Sequence, residues 1–426
     1  MKGHLQVERK GDVVMSTMTN KNLRRALWIG AAALAASWAV QPAGATIGSD
    51  SSGTILIFPK VIVDTSGVLF GRPTDTEIQI TNTSNSIIAA RCYWVNATGH
   101  CSNNPTTACT PETAATRCGT GGRCVEGWTE TDFRFRLTKR QPIAFNAADG
   151  LPVFPLTGGV QGPGGQTNAD SSIPPVPEDP FIGELKCVQV NPEDFQPTIG
   201  FNPANNAAGD LAGQATIVSA SQPNNDFDAR KYSAVTLKST TVNDRDDTLV
   251  LGGPGAEYDG CPNVWILNHF FDEATIPSHF SGGTPGFAQI ATTDITVVPC
   301  SEDFLLQENN LGGATLQFLI FNEFEQRFSS STRFTCFREV QLADIDTRPG
   351  TGDNAFSIFN VGVQGTLSGQ TRIRSIVGPE RANGVIVVAE RFLRSEDGAI
   401  ISSSAENVHF TGTRDKSDFI VLSPNF

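Results

Sequence analysis

The chain has 426 residues, a formal charge of −13, nine cysteines, 41 glycines and 25 prolines. Its acid excess repels phosphate backbones and anionic lipid heads, which argues against nucleic-acid and membrane-surface partners. The cysteines do not suit zinc or haem: the closest pair, Cys118 and Cys124, has five residues between its members, so disulfides formed in an oxidising compartment are expected instead.

Residues 1–45 read as an export leader. Lys21, Arg24 and Arg25 precede an apolar run from Ala26 to Val40, too short to span a bilayer comfortably, and Ala43-Gly44-Ala45 follows as an A-x-A motif. Cleavage is expected between Ala45 and Thr46. Leu23 and Ala26-Leu27-Trp28 fit a twin-arginine signal poorly, which favours the general secretory route, and Met15 or Met18 offers a later start. Beyond the leader 25 basic residues face 42 acidic ones, a net charge of −17. No later stretch is apolar enough for a membrane span, and no Leu-x-x-Cys lipid-attachment site sits at the cleavage point.

Strand patterns fill the rest. Ile55 to Val63 is apolar but interrupted by Pro59, which predicts an edge strand. Ile78 and Ile80 alternate with polar residues, Asn82 to Asn85 offers turn chemistry, and Ile88, Ala90, Cys92 and Trp94 resume at period two, predicting a hairpin. Residues 101–124 hold four cysteines and almost no large apolar side chain, as expected of a loop stapled by its bridges. Phe133, Phe135 and Leu137 alternate with arginines in a strand with one wet face, and residues 157–180 read as a Gly/Pro-rich loop. Further strands are expected at 215–220, 235–237, 295–297, 316–321, 334–336 and 385–389, and Asp397-Gly398 suits a hairpin turn. The segments 78–94 and 316–337 echo one another faintly.

These features predict an all-β protein of two immunoglobulin-like sandwich domains. Domain one covers 46–280 with the cysteine-rich insert 101–124 and the loop 157–180; domain two covers 281–426, the break falling at Ser281-Gly282-Gly283-Thr284-Pro285-Gly286. Two bridges are expected among Cys101, Cys109, Cys118 and Cys124, with Cys187–Cys261 and Cys300–Cys336 flanking strands within their domains and Cys92 left over.

Candidate chemistry is sparse. His269, Asp272 and His279 are metal-ligand types without a metalloprotease or facial-triad spacing. Glu323 and Glu325 share a face if their strand continues through them, as a carboxylate pair for glycoside hydrolysis would. Asp244, Asp246 and Asp247, and Asp344, Asp346 and Asp353, offer the oxygens that calcium favours, but Arg348 and a missing distal Glu break the EF-hand pattern. Serine-nucleophile, Walker and dinucleotide motifs do not occur. The few tryptophans and tyrosines and the many phenylalanines are assigned to the core. The terminal Phe426 invites a membrane-barrel reading that Pro424 interrupts.

The segments ILIFPKVIVD, IQITNTSNS, PFIGELKC and FLIFNEFEQRFS resemble secreted β-rich proteins of bacteria, and the cysteine loop is similar to a four-cysteine insert of such proteins. The resemblance implies export and a sandwich and carries no active site. The leading expectation is a secreted, periplasmic or cell-surface protein without catalytic activity, with a structural, adhesive or interaction role and a protein or glycan partner. The alternatives are an extracellular carbohydrate-active hydrolase or lyase using acidic residues, and a calcium-stabilised binding module.

Overall fold

The computed structural model describes residues 48, 50–151, 155–156, 160–161, 173–197, 209–221, 226–240, 246–277, 288–306, 313–347, 356–376, 383–395 and 400–423. The expected cleavage point Ala45-Thr46, most of 157–180, the break at 281–286, the Asp397-Gly398 turn and Phe426 lie outside them. The fold is all-β and mainly antiparallel. Helix among the described residues is confined to Ala114–Arg117, Val361–Gln364 and a 3₁₀ turn at Leu342–Asp344.

Four sheets make the body. Sheet 1 takes Val235–Leu237, Ile55–Val63, Phe181–Val190, Ile88–Asn96 and Thr129–Leu137 in spatial order. Its three middle strands are buried along their whole length because the sheet is covered on both faces, although Lys60, Arg91, Glu184 and Lys186 lie within them. Sheet 2 (Asp226–Ser233, Leu211–Ser221, Thr74–Asn82, Pro142–Asn146) covers one face, where Phe58, Cys92 and Trp94 meet Ile78, Phe145 and Ile217. On the other face Ile55, Ile57 and Tyr93 join Leu249, Phe304 and Ile420.

That second core continues between sheet 3 (Arg327–Thr335, Gly313–Asn322, Ser368–Ile376, Pro262–Phe270, His409–Thr413) and sheet 4 (Ala274–Pro277, Ala288–Pro299, Val385–Arg394, Ile400–Asn407). Trp265 and Phe318 from sheet 3 pack there with Val297 and Val387 from sheet 4, and Trp265 Nε1 donates to Val385 O at 2.8 Å. Ala45–Phe426 form one compact unit. Pro262–Phe270, from before the break at 281–286, pairs with Ser368–Ile376 and His409–Thr413 from after it.

Several local expectations are corrected. The strand with Pro59 is interior, not an edge: it pairs with Phe181–Val190 on one side and Val235–Leu237 on the other. The register shifts between Phe58 and Val61, so the proline occupies a bulge where no ladder donor is needed. The Lys60 amide there donates to the Tyr232 hydroxyl at 3.2 Å, and that hydroxyl donates to Lys60 O. The segment 78–94 is not a hairpin, because Thr74–Asn82 lies in sheet 2 and Ile88–Asn96 in sheet 1. Its turn is an arch held by Asn82, whose Nδ2 donates to Ser86 O at 2.7 Å and Thr138 O at 2.9 Å. By contrast 313–322 and 327–335 do pair as a hairpin, so the echo between 78–94 and 316–337 has no common geometry.

The bridges are Cys92–Cys187, Cys101–Cys118, Cys109–Cys124 and Cys261–Cys300, with Cys336 a buried free thiol. Cys187–Cys261 and Cys300–Cys336 are therefore not formed, and Cys92 is not left over. Cys92 and Cys187 face each other in register on adjacent strands, a neighbourhood set by strand order rather than by sequence distance. The four-cysteine stretch builds a small sheet of Gly99–Cys101, Asn104–Cys109 and Cys124–Val125 around its bridges.

Candidate functional site

A cleft of about 330 Å³ lies between the cysteine-stapled module and the segment 336–344. Both walls are set locally. The Thr110–Thr113 turn is closed by Thr110 N donating to Thr113 Oγ1 at 2.8 Å, which places Glu112, and Glu126 follows Cys124 out of the module. Opposite, Cys336 takes a positive φ of 64° as the chain leaves sheet 3, and Arg338–Gln341 then pairs onto Ala288–Pro299. That pairing sets Asp294 beside Gln341 on the cleft floor. Arg117 Nη1 reaches Val68 O at 3.2 Å, tying the module to the rim that carries Leu69 and Phe70.

Carboxylates dominate the electrostatics. Burial raises the Glu126 carboxyl, Arg338 opposes this, and Glu112 adds to it. Burial likewise raises Asp344, with Glu112 adding and Thr347 and Arg338 opposing. Asp294 is pushed up to about 8 by burial and by Glu339, against the pull of Lys60. Its Oδ1 is buried without a hydrogen-bond partner.

Asp294 abuts a buried ion cluster that joins the two halves of the chain. Lys60 donates to Glu339 at 2.6 Å and to Glu390, and Arg230 Nε lies 2.7 Å from the same Glu390. Lys60 and Arg230 thus face Glu339 and Glu390, with Asp228 also 3.3 Å from Arg230, so no cation is left over for Asp294. Burial acts against the Glu390 charge, but Lys60 and Arg230 hold it below the usual carboxylate range. A second cluster places Lys186 Nζ 2.6 Å from Glu184 and 2.9 Å from Glu302, which also accepts from Trp128 Nε1 at 2.7 Å. Burial pushes Glu184 up to about 8 despite Lys186.

Cys336 lines the cleft, but burial and then Glu302, Glu126 and Glu184 raise its thiol, so the nucleophilic thiolate is suppressed. His269 is buried, with Nε2 2.8 Å from Thr371 Oγ1 and Nδ1 3.0 Å from Phe270 O, and burial lowers it to about 4. Asp272 accepts from Gln341 Nε2 at 2.8 Å and the Ala343 amide at 3.1 Å, and burial pushes it up to about 7. Both side chains are thus engaged within the protein, and His279 lies outside the described residues.

The strand before Glu323 ends at Asn322, so the same-face geometry expected of Glu323 and Glu325 does not arise. Both sit in a turn in which Glu323 accepts from Ser368 Oγ at 2.7 Å and Glu325 has a φ of 60°. Of the calcium-type residues, Asp246 accepts from the Thr248 amide at 2.8 Å and Asp247 pairs with Arg91 at 3.0 Å. Asp346 accepts from the Ile358 amide at 2.8 Å, Asp344 borders the cleft, and Asp244 and Asp353 lie outside the described residues. Trp94, Trp128 and Trp265, with Tyr93, Tyr232 and Tyr258, are all buried.

Sequence reasoning missed the cleft, because Glu112, Glu126, Asp294 and Asp344 come from distant segments. The one local signal was the position of Glu112 and Glu126 in and beside the cysteine loop. Comparison with family models and with curated proteins found no match to this chain.

Proposed function

We propose that this chain is an exported binding protein of the cell exterior, whose cleft takes a cationic and partly apolar ligand, best met by a Lys- or Arg-bearing segment of another protein. The observation that carries this reading is the convergence of Glu112, Glu126 and Asp344 beside Phe70 and Phe337, with Arg338 as the cation among them. Carboxylates attract the basic head while the apolar wall accepts its aliphatic stem. Four disulfides support a destination outside the reducing cytosol and thus the leader assigned to residues 1–45. The packing of sheet 1 on sheet 2 and of sheet 3 on sheet 4 supports two sandwiches, immunoglobulin-like in the expected sense, and the buried ion cluster favours their acting as one body.

Titration with a labelled Lys/Arg-rich peptide tests the reading. Binding is expected to weaken roughly tenfold in a Glu126→Gln/Asp344→Asn variant, and a Glu-rich peptide is expected not to bind. Equal affinity for both peptides would remove the proposal. The protonated Asp294 at the cleft floor favours one second reading, acid-assisted glycan hydrolysis. It requires turnover of a glycoside panel that Asp294→Asn abolishes.

A further inference from the structure

The outward face of sheet 3 is basic although the protein as a whole carries a charge of −13. Alternation along its strands turns Leu316, Phe318 and Ile320 inward and their neighbours outward. The outward positions bring Arg327 and Arg333 to one edge strand, Arg372 and Arg374 to the central strand and His409 to the opposite edge, and all five are exposed.

Register fixes their spacing. Arg372 stands opposite Leu319 on one side and Ile266 on the other, and Ile266 in turn faces His409. Arg374 stands opposite Gln317, which faces Ser331. The row from Ser329 to His409 crosses five strands, roughly 19 Å, and Arg372 and Arg374 are about 7 Å apart along theirs.

The outward positions of these five strands hold no Asp or Glu; acids near them in sequence, among them Glu273, Glu323, Glu325, Glu406 and Asp415, lie outside these strands. Among the arginines the hydrogen-bond partners are neutral amides: Arg374 Nε donates to Gln317 Oε1 at 2.8 Å and Arg372 Nε to Gln370 Oε1 at 3.4 Å. The Arg372 guanidinium also lies 5.9 Å from the centre of the Phe321 ring. The buried cations Lys60, Arg91, Lys186 and Arg230, by contrast, meet carboxylates.

We propose that the outward face of sheet 3 docks an acidic polysaccharide, a chain of uronate or sulfated sugars lying across the strands. Charge complementarity selects a polyanion, since guanidinium forks pair with carboxylate or sulfate groups. The interleaved Gln317, Gln370, Asn268, Ser329 and Ser331 add the amides and hydroxyls that sugar hydroxyls require. The acid excess elsewhere does not cancel this face, because screening confines its repulsion to about 8 Å at physiological salt. Nucleobases would stack on aromatic side chains, and Trp94, Trp128, Trp265, Tyr93, Tyr232 and Tyr258 are all buried.

The purified protein is titrated at physiological salt with polygalacturonate, dextran sulfate, neutral dextran and double-stranded DNA. Both acidic polysaccharides are expected to bind, to be released by high salt, and to bind Arg372→Gln/Arg374→Gln roughly fivefold or more weakly at unchanged Tm. Lys139→Gln/Arg140→Gln, which removes the same charge from an exposed turn outside sheet 3, is expected to bind as the wild type does. The proposal is overturned if neither acidic polysaccharide binds, if neutral dextran binds equally, if DNA binds more tightly, or if the Arg372/Arg374 variant keeps full affinity.

Discussion

Buried charge in this protein is matched residue by residue. Lys60 is a fully buried ammonium that survives because two carboxylates meet it, and Lys186 repeats the arrangement with Glu184 and Glu302. Such groups are costly to leave unpaired, on the order of 3–5 kcal/mol when one partner is removed. Asp294, like Glu184, departs from this matching and can be tested: beside the Lys60 cluster, burial raises its carboxyl to about 8. Asp294→Asn is therefore expected to stabilise the protein, and to do so more at pH 8 than at pH 5. The unfolded chain ionises the aspartate near its ordinary value while the native state cannot, so the gain over this interval is on the order of 2 kcal/mol, discounted for coupling to Lys60. Thermal denaturation of both proteins at the two pH values measures it; a gain that does not grow with pH would contradict the assignment.

At the scale of elements, the bulge at Pro59 connects a sequence irregularity to long-range structure. By adding a residue between Phe58 and Val61 it changes which side the strand presents, so Val61 and Val63 keep to the core with sheet 2 while Lys60 turns toward Glu339 and Glu390. The Cys92–Cys187 bridge clamps two middle strands of sheet 1 across a separation of 95 residues. Its removal in Cys92→Ser/Cys187→Ser is expected to cost ~2–4 kcal/mol in denaturant unfolding, because the bridge restricts the unfolded chain. The same pattern predicts that thiol titration without reductant finds one reactive sulfur per unfolded chain, Cys336, and none in the native state. Any larger number would show that the bridges are not those described.

For the whole molecule, stability should depend on pH in a definite sense. Burial raises Glu184 and Asp294 to about 8, and Asp272 to about 7, so the native state holds protons that the unfolded chain has released. Each such group lowers stability as pH rises from its ordinary value to its raised one. His269, held down at about 4, acts oppositely, adding stability as pH rises to 6.5. Above about 6.5 only the carboxylates remain active, so the Tm is expected to fall from pH 6.5 to pH 8. A Tm that rises over that interval would mean that these carboxyls are ionised in the folded state.

Strand content was legible residue by residue. The apolar run of Ile55 to Val63, and the alternation of Ile78 and Ile80 or of Leu316, Phe318 and Ile320, are local patterns with local causes, whereas the strand Phe181–Val190, broken by Glu184, Lys186 and Gln189, went unread. So was the stapled character of 101–124, whose composition leaves little apolar surface for a core. Tertiary structure alone decided which strands became neighbours, and with them the cysteine partners, the interior place of the Pro59 strand, the arch at 82–88, and the meeting of Glu112, Glu126, Asp294 and Asp344. Periodicity reports which face of a strand is buried but not what covers it; pairing between strands a hundred residues apart is settled by the joint packing of whole sheets, which no local window contains.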